Sequence, residues 1–122
     1  MPNLENKPVL PTMKELKAGL APFNKAKTGV AVRQLVVTLT LYVLGWVAMY
    51  YSLRIGYWLT LLLAVPTAGL LVRIFILFHD CGHNSFFPST TLNRRVGFWL
   101  GVLVFTPGAQ WWRSHAIHHA SV

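Results

Sequence analysis

Residues 34–72, QLVVTLTLYVLGWVAMYYSLRIGYWLTLLLAVPTAGLLV, decide the fold. One charge, Arg54, separates an uncharged run of twenty residues, Gln34 to Leu53, from another of eighteen, Ile55 to Val72. A helix rises ~1.5 Å per residue, and a hydrocarbon layer ~30 Å thick takes about 20 residues to cross. Both runs are long enough. Two core helices this apolar would need a much larger soluble protein around them than 122 residues supply. The expected architecture is an integral membrane, all-α fold. Spans at about 35–53 and 57–78 form a helical hairpin, joined by the turn Ser52 to Gly56. Pro66, near the middle of the second span, is an expected kink whose freed carbonyl neighbouring helices can satisfy.

The composition agrees. Hydrophobic residues make up 54% of the chain and charged ones 11%, with eleven Lys and Arg against three acidic residues for a net +8. Soluble domains carry about 25% charged residues. The basic balance is therefore read as contact with a membrane surface, not with nucleic acid. The apolar content excludes disorder, and a single cysteine excludes an internal disulfide.

Outward from the hairpin, residues 1–31 read as a cytoplasmic basic tail, with Lys7, Lys14, Lys17, Lys25 and Lys27 against Glu5 and Glu15. Pro2, Pro8, Pro11 and Pro22 leave room for one short helix, Thr12 to Leu20. No apolar run near the start suits a secretory signal. Arg33 and the tail lysines precede the first span, and Arg94, Arg95 and Arg113 follow the second. The positive-inside rule then puts both flanks in the cytoplasm. Arg73, six residues before His79, is expected to snorkel toward headgroups; the rival reading is an intramembrane site residue. Residues 84–95 read as turn-rich. The apolar run Gly97 to Thr106, ~15 Å as a helix, is too short to span and reads as interfacial or re-entrant. Ala109 to Ser121 reads as a further helix, opened by Trp111 and Trp112 at a headgroup interface.

All five histidines fall in two clusters, HDCGH at 79–83 and HAIHH at 115–119. His79 and His83 stand i, i+4, so their imidazoles share one helix face. His118 and His119 follow His115 by three and four, which puts those three on one side. Both clusters lie at the same end of the hairpin. Imidazoles without thiolates suit zinc, copper, iron or nickel better than calcium or magnesium. Cys81 points away from both histidines of its cluster and reads as a packed apolar group. Asp80 either orients a ligand histidine or simply ends a helix near water.

The hairpin followed by HDCGHNSFF and then WWRSHAIHHA resembles the membrane-bound fatty acid desaturases, chiefly the acyl-lipid type acting at Δ12 or related positions. The resemblance covers about residues 35–122 and leaves the tail out. It implies a partial desaturase domain over 32–122, part of a larger four-span histidine-box fold. It also implies two non-haem irons, held here by His79, His83, His115, His118 and His119. Dioxygen is the implied co-substrate, an acyl lipid the substrate, and ferredoxin or cytochrome b5 the electron donor. Family members carry two further spans and a third cluster, H-x2-H-H or Q-x2-H-H, whereas this sequence ends three residues after His119. The expectation is an N-terminal part, inactive alone, in a bacterial inner membrane in preference to the endoplasmic reticulum.

Rival readings remain open from the residues alone. Membrane hydroxylases and ketolases share such clusters. A membrane zinc protease would use a His pair at this spacing, but with Glu where Asp80 stands. An inactive, truncated metal-binding hairpin is the non-enzymatic alternative. A carrier would favour polar groups at mid-membrane, where only Thr38, Thr40, Thr60 and Thr67 stand.

Overall fold

The computed structural model describes residues 11–21 and 25–121, and five helices account for most of them. Of the expected tail, residues 1–10 and 22–24, with Pro2, Glu5, Lys7, Pro8 and Pro22, lie outside the described residues. Helix α1, Met13–Leu20, starts at a capping box. The Thr12 hydroxyl accepts from the Glu15 amide, and the Glu15 carboxylate accepts from the Thr12 amide at 2.7 Å. Two orphan donors of the helix start are thereby satisfied.

Helices α2, Thr28–Ser52, and α3, Tyr57–Gly82, are the expected hairpin. At 25 and 26 residues, and holding 18-residue stretches of mean hydropathy 1.7 and 2.3, each is long and apolar enough to cross a bilayer. Both exceed the expected spans. Helix α2 begins four residues inside the expected tail and carries Arg33, and α3 runs on through His79 to Gly82. Helical hydrogen bonds satisfy the backbone at any depth, so polar side chains at a span's end do not stop the helix. Helix α3 also continues through Pro66.

The two helices meet along rows of residues spaced by seven, small except for Ile74. Ala31, Thr38, Gly45 and Ser52 on α2 run antiparallel to Thr60, Thr67 and Ile74 on α3. A strict sevenfold repeat keeps one seam facing its partner along the length of both helices. Small side chains let backbones approach where lipid supplies no hydrophobic drive between helices. Ser52 Oγ donates to the Met49 carbonyl at 2.7 Å, which leaves Thr60 to donate to Ser52 across the seam, also at 2.7 Å. A Cβ on Gly45 would come within 2.6 Å of Thr67 Oγ1. That hydroxyl in turn donates to the Leu63 carbonyl. One rung higher, Arg73 Nε donates to Thr38 Oγ1 at 3.0 Å. Arg73 therefore does not simply reach for headgroups; its Nε is tied to the facing helix, although the side chain stays exposed. Val36, Leu44, Leu62, Val65 and Val72 stand exposed on the outer faces.

Helix α4, Thr90–Leu103, corrects the reading of 84–95 as turn-rich throughout and of 97–106 as a separate run. Ser89 caps it by accepting from the Leu92 amide, so Arg94 and Arg95 are helical. Its fourteen residues, ~21 Å long, pack against the end of α3 through Gly97, Leu100 and Gly101, over Phe78 and Cys81. The connection at 83–89 is held by Asn93, which is fully buried. Its Oδ1 accepts from the Phe87 amide at 2.9 Å, and its Nδ2 donates to the carbonyls of Phe87 and Ser89 at 2.8 and 3.1 Å. Helix α5, Gly108–Ala120, follows Pro107 and lies back over the end of α3.

Candidate metal centre

Helix α5 is seated by two tryptophans. Trp112 stacks on Phe78 at 5.4 Å between ring centroids and fits against Gly82 and Gly97, where a Cβ would collide with its indole. Trp111 packs edge-on against Phe75 and His79. This aromatic wall fixes how far along α3, and on which side, the second histidine cluster sits.

The outcome is a convergence of four imidazoles. His79 and His83 lie one turn apart at the end of α3, and His115 and His119 one turn apart on α5. The Nε2 atoms of His79, His83 and His119 stand 3.1, 3.0 and 3.0 Å from His115 Nε2. The ligand atoms of His79, His83 and His115 all lie within 4.8 Å of one another. Trp111 stacks flat on the His115 ring, 4.5 Å away and 14° from parallel, which sets that ring's plane. His118 is not brought in. It is exposed, its ring centroid 6.0 Å from that of His119.

Hydrogen bonding alone cannot explain the four. A neutral imidazole Nε2 offers either one N–H or one lone pair, so His115 Nε2 cannot serve three neighbours at once. His79, His83 and His115, whose ligand atoms lie close to one another, are satisfied together when they turn lone pairs toward one cation. A donor set of imidazoles without thiolates fits a borderline or redox-active transition metal.

Electrostatics favour the neutral, ligating form. Loss of solvent, then the charges of His79 and His119, holds His83 below the ordinary histidine value. Loss of solvent, then His119, His79, His83 and His118, does the same for His115. Asp80 lies on the other side of His79, its Oδ1 3.3 Å from His79 Nδ1. An Nδ1–H donated there leaves His79 Nε2 as the lone-pair atom facing the cluster. Asp80 is thus turned away from the four nitrogens, and not toward them as a hydrolytic base would be. Cys81 is buried among α4 residues, as expected of a packed apolar group. A cavity of about 270 Å³ lined by His83, His115, His119, Gly82, Trp112 and Ala116 opens beside the cluster.

Sequence reasoning missed three residues that build this end of the molecule. Asn93 had only a turn signal in the chain. The glycines at 82 and 97 mattered through Trp112, which approaches them from a helix fifteen or more residues away.

Comparison with known proteins bears on the same residues. The family model described as "Fatty acid desaturase" matches residues 56–122, which include both histidine clusters. A protein from Bacillus subtilis named "Fatty acid desaturase" is 44% identical over 108 residues, 88% of this chain and 31% of its own length. A "Delta(12) fatty acid desaturase" from Mortierella isabellina is 46% identical over 46 residues, 38% of this chain and 12% of the relative. An "sn-1 acyl-lipid omega-3 desaturase (ferredoxin)" from Synechocystis is 42% identical over 48 residues, 39% and 13% of the two chains. The chain thus spans about a third of the Bacillus relative's length. No solved structure matches it.

Proposed function

The chain belongs to the fatty acid desaturase family, and on that premise we propose that it is the part of a membrane-bound acyl desaturase that carries the first hairpin and two of three histidine clusters. The observation behind this reading is the convergence of His79, His83, His119 and His115 through Nε2. In this proposal residues 1–31 are a cytoplasmic tail and 32–122 a partial desaturase domain. The histidine clusters face the cytoplasm of a bacterial inner membrane, and two further spans complete a four-span fold.

The reaction is the removal of two hydrogens from adjacent methylenes of an acyl chain. Dioxygen, two electrons and two protons are consumed with them, giving a cis double bond and two waters. Two non-haem irons supply the O₂ and one-electron chemistry that no side chain can. His79, His83 and His115 would hold one of them, with His119 beside them. His118, off the cluster but adjacent to it, is assigned to the other, together with the third histidine cluster. The chain's remaining groups position these ligands. Asp80 keeps the His79 proton on Nδ1, and Trp111 fixes the plane of His115. Phe75, Phe78 and Trp112 exclude water from the inner side of the cluster. The name of the Synechocystis relative supports an acyl-lipid substrate and ferredoxin as donor; cytochrome b5 is the alternative donor.

The test has two readouts. The complete gene product, purified without added metal, is expected to contain iron. Retention of zinc alone would point back to hydrolysis. Lipids from a host expressing the complete gene product should gain cis double bonds, and lipids from a host expressing these 122 residues should not. Hydroxylated acyl chains in place of unsaturated ones would reassign the enzyme to the related hydroxylases.

A further inference from the structure

His83 is the last residue of α3 before the chain turns, with φ −80° and ψ 0°. Asn84 then takes a left-handed backbone, φ 55°. With that turn the amides of His83, Asn84 and Ser85 donate back to the carbonyls of His79, Cys81 and Asp80, at 3.2, 3.1 and 3.1 Å. The Ser85 hydroxyl donates to the same Asp80 carbonyl at 3.0 Å. The nested pair, Ser85 to Asp80 around Asn84 to Cys81, is the helix ending in which one left-handed residue lets the last carbonyls find donors. Glycine takes that conformation most readily, and asparagine is among the few other residues that tolerate it.

All three receiving carbonyls belong to the segment that carries the first histidine cluster, and each bond joins residues no more than five apart. Beyond the turn, Phe86 and Phe87 are buried, and Asn93 holds the Phe87 backbone. A helix running on past His83 would draw both phenylalanines out of the core. A helix ending sooner would unwind His83 and break its one-turn alignment with His79. Helix α4 also ends at a left-handed residue, Phe105, φ 54°, but that one lies ten residues before His115. Asn84 adjoins an imidazole of the cluster directly.

We propose that Asn84 is a positioning residue for His83: its left-handed backbone ends α3 directly after that imidazole and so holds His83 Nε2 against His115 Nε2, 3.0 Å away. This rests on the metal-centre reading and adds to it a residue that serves the site through its backbone conformation and not through its side chain.

Co²⁺ titration of the complete gene product, purified metal-free, tests it, with the visible absorption of the bound ion reporting ligand geometry. A β-branched residue takes the left-handed region only under strain, which it sheds when the end of α3 opens. Metal binding must then close that end again. N84V is accordingly expected to bind Co²⁺ about tenfold more weakly, the scale of that backbone penalty. N84A, less hindered, should fall between N84V and the wild type. N84G, which deletes the side chain and keeps the conformation, should match the wild type in affinity and spectrum. In an H83A background N84V should cost no further affinity, because the group it positions is gone. Circular dichroism confirms that the helices persist, and N84A carries the comparison if N84V does not fold. Wild-type affinity in N84V and N84A would overturn the proposal. A loss in N84G equal to that in N84V would overturn it too, by making the side-chain amide the active part. A further tenfold loss in N84V/H83A would do the same, by reducing Asn84 to a general stabiliser. Loss in H83A without loss in N84V defeats this inference alone. Undiminished binding in H83A defeats the metal-centre reading and this one with it.

Discussion

The hairpin seam and the histidine end are both polar zones in an apolar molecule, and they differ in whether their polar groups satisfy one another. Along the seam each hydroxyl has a protein partner: Ser52 with Met49 and Thr60, Thr67 with Leu63, Thr38 with Arg73. Such bonds hold helices together and leave nothing over for a ligand. At the histidine end three imidazoles crowd one nitrogen that can serve a single neighbour. The first arrangement is complete as protein, and the second leaves lone pairs that suit a cation.

That contrast breaks most sharply at His115. H115A is expected to lower Co²⁺ or Fe²⁺ affinity more than ~100-fold, beyond the 10–100-fold typical of losing an outer partner, while far-UV circular dichroism stays unchanged. H118A should leave the metal affinity of this chain close to wild type by the same titration. Equal losses in the two variants would mean that the four-histidine geometry is not the site.

The next largest effect is expected at Asn93. N93A removes three hydrogen bonds, two of them buried, and leaves the Phe87 amide without its partner, a cost of about 2–4 kcal/mol. Thermal unfolding in detergent should show it, and metal affinity should fall with it because the connection after His83 loosens. G45V tests the other zone. Crowding Thr67 should cost about 1–3 kcal/mol of stability with metal affinity nearly intact. A large loss of metal affinity in G45V would show that the two zones are mechanically coupled.

A smaller effect is expected from acid. The folded His83 and His115 sit below their ordinary 6.5, so the unfolded or open form takes protons first as pH falls. Their share of stability is full above pH 6.5 and is lost as pH drops through the folded values. In metal-free protein, fluorescence from Trp111 against His115 should report opening with a midpoint below 6.5. Bound metal should push that midpoint lower, since protons and metal compete for the same lone pairs.

The hairpin was legible because an uncharged run of the right length has few other uses, and the clusters because i, i+4 imidazoles share a face. The seam is written in the sequence too, as small residues at 31, 38, 45 and 52 repeated every seven and answered by Thr60 and Thr67, but only the pairing of the two helices turns that spacing into a contact. The Thr38–Arg73 bond joins residues 35 apart in sequence and depends on the hairpin's register. Which of His118 and His119 would join His115 was beyond spacing: wheel arithmetic puts both within about 60° of it. The seating of Trp111 and Trp112 against α3 decides between them. Asn93 acts through the shape of a loop, which composition does not reveal.

Helix α3 is also a ruler. It runs unbroken from Tyr57 through Pro66 to Gly82, so the height of the histidines above the turn at Arg54 is counted out in residues at ~1.5 Å each. A single deletion between Thr60 and Ile74 would lower them by that step and swing them about 100° around the axis, facing the wrong neighbour. Removing one whole heptad from each helix would keep the remaining seam residues opposite their mates and the imidazoles on their proper side. The cluster would nonetheless sink ~10 Å toward the hydrocarbon. Register fixes direction and length fixes depth, and a functional insertion or deletion must respect both.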